Sequence, residues 1–144
     1  MTAIRASDEI VVAAPAAEVW KLLADIAAMP GWWPPNPRLR VLRVLPGIVG
    51  SELEIQPRGG RPFRCRVVSV EEPRSIRMEY FGGFITGRGE WRLEVSGSGT
   101  RVRYELDVQA AGRVVAWISR VIPLGRLHSR QMQGVLGRLE RALA

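Results

Sequence analysis

In the C-terminal stretch from Gly112 to Ala144, apolar side chains recur every three or four residues, which is the spacing of one helix face, and one histidine lies among them. These side chains belong to Val114, Trp117, Ile118, Val121, His128, Met132, Val135, Leu136, Leu139 and Leu143. A helix of this length would extend about 45 Å and would need an apolar surface of similar length to cover its face. We therefore expect a long C-terminal helix packed on a sheet, either continuous or divided by a hinge near Ile122, because Pro123 lies inside it.

The chain before this helix alternates apolar and charged residues, which is typical of an antiparallel sheet with one buried and one solvated face. The alternation is clearest in Phe84–Ser96 and in the following strand, where Tyr104 and its apolar neighbours alternate with Arg and Glu. Gly97-Ser98-Gly99 between these two strands indicates a hairpin. The other predicted strands are Ile4–Ala13, Arg38–Leu45, Gly50–Gln56, Pro62–Glu71 and Ser75–Phe81. Because no helical pattern separates the later strands, the sequence predicts seven antiparallel strands in an α+β fold.

The segment between the first two strands predicts two short helices. Pro15 fits the first turn of a helix, because the N–H that proline lacks has no intrahelical partner there. Apolar residues from Ala16 to Ala27 then mark one helix face, and Met29-Pro30-Gly31 ends it.

Trp32 and Trp33 begin an extended, proline-rich segment that ends at Pro37. Two adjacent side chains of an extended segment cannot both point into one core. One interpretation is a buried tryptophan at the end of the sheet with a half-exposed neighbour, and the other is an aromatic rim at the mouth of a pocket. Gly87 and Gly89 lie on the inner face of the longest strand, where they are expected to bend the sheet, to leave room for a ligand beside Trp91, or to do both.

The bulk properties favour an ordinary globular protein, with 144 residues, 47% of them hydrophobic and 24% charged. We expect one domain over residues 1–144, a cytoplasmic location without a signal peptide or transmembrane segment, and a monomer or homodimer. The net charge of +7 is that of many nucleic-acid-binding proteins. The arginines are spread along nearly every segment, however, so we expect a solvated surface rather than a nucleic-acid partner.

Few residues could carry chemistry. Cys65 and His128 are the single cysteine and the single histidine, and no glycine-rich phosphate loop is present, so we expect neither a metal nor a cofactor. A Cys65–His128 nucleophile pair lacks an evident third orienting group, and we favour Cys65 as a small buried hydrophobe. His128 is the candidate for acid–base chemistry, because an inward imidazole in apolar surroundings tends to be neutral. In a pocket, the hydroxyl groups of Tyr80 and Tyr104 would help to orient a carbonyl or hydroxyl group of a ligand. In a filled core, they would only form hydrogen bonds with the backbone or with water.

Three segments carry a resemblance to a known family. They are VVAAPAAEVWKLLADIAAMPGWWP (residues 11–34), GRGEWRLEVSGSGTRVRYELDV (87–108) and the terminal LERAL (139–143). The chain resembles the START-like (SRPBCC) superfamily, and within it the polyketide cyclase/dehydrase and coenzyme-Q-binding branch. The resemblance implies a helix-grip fold, in which a seven-stranded antiparallel sheet wraps around the C-terminal helix and encloses an apolar cavity. Its members bind lipids, quinones, hormones or polyketides, and some use the cavity for catalysis.

Related aromatase/cyclases often have a tryptophan-proline pair where this chain has Trp33-Pro34, and pocket-facing polar residues where it has Phe63–Ser69. This strand instead presents Phe63, Cys65 and Val67 inward. The residues that we expect to contact a ligand are Trp32, Trp33, Phe63, Cys65, Met78, Tyr80, Ile85, Gly87, Gly89, Trp91, Tyr104, Trp117, Val121, Leu124, His128 and Met132.

Three functions remain open. The first is a binder of a hydrophobic small molecule such as a lipid, a quinone or a polyketide-like compound. The second is a cyclase/dehydrase-type enzyme with His128 as general acid or base and a tyrosine as hydrogen-bond donor. The third is a basic module that binds RNA, ribosomes or a membrane surface.

Overall fold

The computed structural model describes residues 1–144 and contains one seven-stranded sheet, in which every neighbouring pair of strands is antiparallel. The strand order across the sheet is β1-β7-β6-β5-β4-β3-β2, so the last strand pairs with the first. The strands are β1 (Thr2–Val12), β2 (Arg38–Arg43), β3 (Glu52–Gln56), β4 (Phe63–Glu71), β5 (Ser75–Phe81), β6 (Ile85–Ser96) and β7 (Gly99–Ala110). This arrangement confirms the predicted α+β helix-grip fold.

The alternation along the strands places apolar side chains on the inner face of the sheet and charged side chains on the outer face. In the β6–β7 pair, Trp91 lies opposite Tyr104 and Leu93 lies opposite Val102, and all four side chains are buried. The intervening charged residues face outward and pair across strands, for example Arg101 with Glu9 at 2.9 Å. Such exposed ion pairs each contribute at most about 1 kcal/mol. The apolar inner face therefore supplies most of the stabilisation.

Two short helices connect β1 to β2, as the sequence predicts. They are α1 (Ala16–Ala24) and a 3₁₀-helix (Ile26–Gly31). Val19, Trp20 and Leu23 of α1 are buried against the core. The first helix ends three residues earlier than its apolar pattern predicts, because the side chain of Asp25 accepts a hydrogen bond from the Ala28 N–H at 3.3 Å and begins the 3₁₀-helix.

The C-terminal region forms two helices, which separate completely at the expected hinge. They are α2 (Arg113–Val121) and α3 (Leu124–Leu143), and Ile122 between them is extended, with φ −118° and ψ 126°. Pro123 has no N–H to continue the helix and restricts the residue before it to extended conformations. The long C-terminal helix is therefore α3, and α2 is a separate element. Neither helix is long and apolar enough to cross a bilayer.

The break changes which side chains face the sheet. In α3, the expected side chains of Met132, Val135, Leu136 and Leu139 are buried. In α2, by contrast, only Ile118 of the four expected side chains lines the cavity, so the prediction is wrong for the other three. Three side chains that we expected to face inward, those of Val114, Trp117 and Val121, are 70%, 66% and 69% exposed, respectively. The three- and four-residue period holds within each helix but not across the extended residue between them.

At both Gly87 and Gly89, neighbouring atoms lie too close to leave room for a side chain. Gly87 has φ +142°, and a Cβ atom there would lie 2.6 Å from the Cα atom of Val108 on the adjacent strand. A Cβ atom on Gly89 would lie 2.8 Å from Cζ of Tyr104 and 3.0 Å from a ring carbon of Tyr80. The space that we expected for a ligand at these glycines is therefore occupied by the neighbouring strand and by two tyrosine rings.

We predict that Gly89→Ala destabilises the fold, because the added methyl group must displace a fully buried tyrosine. Overpacking of this kind costs about 1–3 kcal/mol, measurable as a lower midpoint in urea unfolding. The matched control is Gly134→Ala in α3, where a Cβ atom meets nothing within 4 Å. That change is expected to stabilise the fold by up to about 1 kcal/mol. Equal midpoints for the two variants would contradict this account of Gly89.

Candidate ligand-binding cavity

A cavity of about 380 Å³ lies between the inner face of the sheet and the helices α2 and α3. It is lined by 33 residues, of which 26 are hydrophobic. Every strand of the sheet contributes to its wall, and α3 contributes Leu124, Leu127, His128, Gln131, Met132 and Val135. The only charged lining residue is Arg58, which is exposed in the loop between β3 and β4. The cavity is therefore an apolar space with one cation in an exposed loop at its edge.

Most of the residues predicted to contact a ligand line this cavity. They are Trp33, Phe63, Cys65, Met78, Tyr80, Ile85, Trp91, Tyr104, Leu124, His128 and Met132. Five do not line it: Trp32, Gly87, Gly89, Trp117 and Val121.

The tryptophan pair at the end of the 3₁₀-helix combines the two interpretations. Trp32 is buried, at 8% exposed, and lies outside the cavity wall, whereas Trp33 is half-buried and lines the cavity. The Trp33 indole N–H donates a hydrogen bond to the Pro37 carbonyl oxygen at 2.8 Å. This bond fixes the Trp33 ring against the cavity, with the Trp32 ring centre 5.9 Å away.

A polar cluster lies within the apolar wall. The hydroxyl groups of Tyr80 and Tyr104 are hydrogen-bonded to each other, and both residues are buried. The Tyr104 ring lies 4.8 Å from the Trp91 ring and is stacked on His128, with centres 6.3 Å apart and planes at 29°. The Nδ1 atom of His128 is buried and has no hydrogen-bond partner. The three residues predicted to carry chemistry are thus brought together at one place.

Burial keeps these groups uncharged at neutral pH. It raises the pKa values of both Tyr80 and Tyr104 above the ordinary value for a phenol. It raises the pKa of Cys65 to about 12, so the thiol stays protonated and is a poor nucleophile. It lowers the pKa of His128, an effect that the Asp8 carboxylate partly offsets. The arrangement provides neutral hydrogen-bond donors and acceptors rather than an ion-binding site.

Two residues near His128 are absent from the sequence-based candidates. Asp8 is only 7% exposed, and its Oδ2 atom accepts a hydrogen bond from the Ser129 hydroxyl group at 3.1 Å. The signal for Asp8 is the alternation of β1, in which Ile4, Ala6 and Ile10 share its inward side. The signal for Ser129 is weaker, because it follows His128 directly in a helix whose inward face is otherwise apolar.

Several apolar lining residues were also missed. Val115 projects from α2 into the cavity, and β2 and β3 add Leu39, Leu53 and Ile55. Ile118 of α2 also lines the cavity; it belongs to the predicted inward face but not to the predicted ligand contacts. The alternation of β3 already places Leu53 and Ile55 on one face of the sheet. The orientation of α2 has no comparable signal, since it depends on the backbone angles at Ile122.

Several solved structures share the fold of this chain at low sequence identity. TTHA0849 from Thermus thermophilus has a TM-score of 0.78 and 20% identity, covering 98% of this chain and 96% of that one. The di-domain ARO/CYC StfQ of the steffimycin biosynthetic pathway has a TM-score of 0.73 and 14% identity, covering 97% of this chain and 50% of that one. Norcoclaurine synthase from Thalictrum flavum, in complex with dopamine and hydroxybenzaldehyde, has a TM-score of 0.70 and 13% identity, covering 99% and 87%.

At these identities the likeness shows the fold alone. No curated protein sequence matches the chain. The family described as polyketide cyclase/dehydrase and lipid transport matches residues 3–144, which is nearly the whole chain. The chain therefore belongs to the polyketide cyclase/dehydrase and lipid-transport family of the START-like (SRPBCC) superfamily.

Proposed function

We propose that this protein binds a hydrophobic small molecule, such as a lipid, a quinone or a polyketide-like compound, between the sheet and α3. The observation that carries the proposal is the cavity of about 380 Å³ with 26 hydrophobic residues among its 33 lining residues. Ligand sites in proteins are typically apolar clefts of about 300–1,000 Å³ with a few placed polar groups. The cavity matches that description in its volume, its lining and its small polar cluster.

The size of the cavity supports a functional role on energetic grounds. Protein cores are normally packed with few voids larger than a water molecule, whereas this apolar wall leaves about 380 Å³ unfilled. A sequence selected only for stability would fill this space with larger side chains. A ligand that occupies it would recover part of the lost contacts.

The polar cluster supports a ligand with a neutral polar group. Tyr80, Tyr104 and His128 are all neutral at pH 7 and lie inside an otherwise apolar wall. A carboxylate or phosphate buried beside them would meet no counter-charge and would lose its hydration. A ketone, quinone or hydroxyl group, in contrast, would find both a donor and an acceptor. The proposed ligand is therefore apolar with one neutral oxygen group.

A second candidate function, a cyclase/dehydrase-type enzyme, is favoured by the environment of His128. Its buried Nδ1 atom has no partner and its ring is neutral, so it is free to accept a proton from a bound substrate. The resulting imidazolium would be stabilised by the Asp8 carboxylate, and the tyrosine pair would donate to a substrate carbonyl. In this case His128→Gln would lower kcat by about 10²–10⁴-fold with little change in substrate affinity. Unchanged turnover would remove His128 from the mechanism.

We predict that Ile85→Trp blocks the cavity and weakens binding of the neutral apolar probe N-phenyl-1-naphthylamine. Ile85 lines the cavity and is only partly buried, so a larger side chain can enter the space. The expected effect is at least about a tenfold rise in Kd, because the indole displaces ligand contacts worth roughly 1.5–3 kcal/mol. Fluorescence titration measures this directly.

The matched control for that experiment is Val95→Trp, the same type of change on the same strand. Val95 is 81% exposed and does not line the cavity. The Kd of the probe is expected to stay within about twofold of the original value. Equal weakening by both variants, or no probe binding by the unchanged protein, would count against the cavity as the binding site.

We predict that the pKa of His128 lies below 6.5 and falls further in Asp8→Asn. Burial disfavours the charged imidazolium, while the Asp8 carboxylate favours it, so removing that charge lowers the pKa again. Because His128 is the only histidine, its ring protons give a single titrating signal in an NMR pH series. A matched control is Glu140→Gln, which removes a carboxylate from the exposed side of the same helix. A pKa at or above 6.5 would contradict the neutral state of His128. An unchanged pKa in Asp8→Asn would contradict the influence of the Asp8 carboxylate.

A further inference from the structure

The outer face of α2 carries an apolar surface that nothing in the chain covers. Val114, Trp117 and Val121 are 70%, 66% and 69% exposed, and Ile122 and Leu127 just beyond them are 45% and 44% exposed. We call these five residues the α2 surface, although Leu127 belongs to α3 and also lines the cavity. They make up five of the twelve exposed large hydrophobic side chains of the protein, within a stretch of fourteen residues. Soluble proteins rarely expose apolar residues in such a concentrated group without a partner.

The charged residues in the stretch of chain that contains this surface are all of one sign. Residues 108–139 contain no Asp or Glu but contain five arginines, at positions 113, 120, 126, 130 and 138. None of these five has a carboxylate within 4.0 Å. The arginines of the sheet behave differently, since most of them pair with carboxylates of the same or neighbouring strands. The positive charge near the α2 surface is therefore available to an external anion.

The helix period places three kinds of side chain around α2. Val115 and Ile118 line the cavity on one side. The three exposed apolar residues of the helix follow next around its circumference, and Arg113 and Arg120 come after them. An apolar stripe with a tryptophan, bordered by arginines, is typical of helices that lie in the interface of a membrane.

We propose that the α2 surface docks on an anionic lipid membrane. The apolar side chains would enter the boundary between headgroups and acyl chains, and the arginines would contact lipid phosphates. A second copy of this chain fits less well, because a symmetric contact would bring the unpaired arginines together. The same helix lines the cavity, so docking would bring the cavity wall to the bilayer. The docking itself does not depend on a ligand in the cavity, and it is tested separately.

The test is co-sedimentation with vesicles of phosphatidylcholine alone and with vesicles that also contain about 30% phosphatidylglycerol. The protein is expected to bind the anionic vesicles and not the neutral ones. Trp117→Ser is expected to weaken binding at least about tenfold through the lost burial of the indole. Arg113→Gln with Arg120→Gln is expected to weaken it about 25-fold, at about fivefold for each arginine near the surface.

Matched controls come from the opposite part of the molecule. Val95→Ser removes an apolar side chain that is 81% exposed but lies at the β6–β7 hairpin. Arg74→Gln with Arg92→Gln removes two exposed arginines that pair with carboxylates near the same end of β5 and β6. Both controls are expected to bind anionic vesicles within about twofold of the unchanged protein. Brominated lipids should quench tryptophan fluorescence in the protein and in Val95→Ser, and much less in Trp117→Phe.

Three outcomes would overturn the proposal. One is equal vesicle binding by the protein and Trp117→Ser. Another is a dimer in analytical ultracentrifugation that Trp117→Ser dissociates, which would assign the surface to a second copy. The third is salt-sensitive binding to polyuridylic acid without vesicle binding, which would assign the arginines to RNA. Loss of probe binding in the cavity with retained vesicle binding would leave the docking intact, so the two proposals fail independently.

Discussion

The structure depends on the packing of α3 against the inner face of the sheet, which the helix covers only in part. The side chains of α3 that are buried, those of Met132, Val135, Leu136 and Leu139, all belong to the C-terminal two thirds of the helix. They pack against the core formed by α1 and the inner face of the sheet. Toward its N-terminus, α3 instead presents Leu124, Leu127 and His128 to an open space. The cavity is thus the space that α3 and the inner face of the sheet leave unfilled beside these residues.

The polar cluster can lie in the apolar wall of the cavity because each of its side chains is uncharged. The two tyrosine hydroxyl groups share one hydrogen bond, which leaves one O–H hydrogen free to donate, and Gly89 supplies the room for their rings. The Cys65 thiol is protonated, and the imidazole of His128 is neutral. The buried Nδ1 atom of His128 has no hydrogen-bond partner. A buried polar atom without a partner costs about 1–3 kcal/mol, so a ligand that supplied the missing hydrogen bond would gain that amount.

Local patterns were enough to predict the sheet. Ser75–Phe81 was predicted to the residue, because its alternation is strict and turn residues bound it on both sides. Asp8 could have been found in the same way, since it continues the inward side of β1. Its charge is typical of a surface residue, and only the fold shows that the side is covered by α3.

Other features depend on long-range geometry that no pattern carries. The residues of α2 have a regular helical period, yet the extended conformation at Ile122 turns Trp117 and Val121 to solvent and Val115 to the cavity. The tyrosine pair joins β5 to β7 over β6, so it depends on a glycine in the intervening strand. The sequence shows that glycine but does not show whether a ligand or a side chain occupies the space above it.

The central claim is that an apolar molecule with a neutral oxygen group occupies the space between the sheet and α3. Native mass spectrometry of the protein, purified gently from cells and without detergent, tests it most directly. The account predicts a second species, heavier by the mass of one small molecule, that disappears on denaturation and leaves the mass of the bare chain. A bare chain as the only species, both as purified and after incubation with quinones, sterols and fatty alcohols, would contradict it.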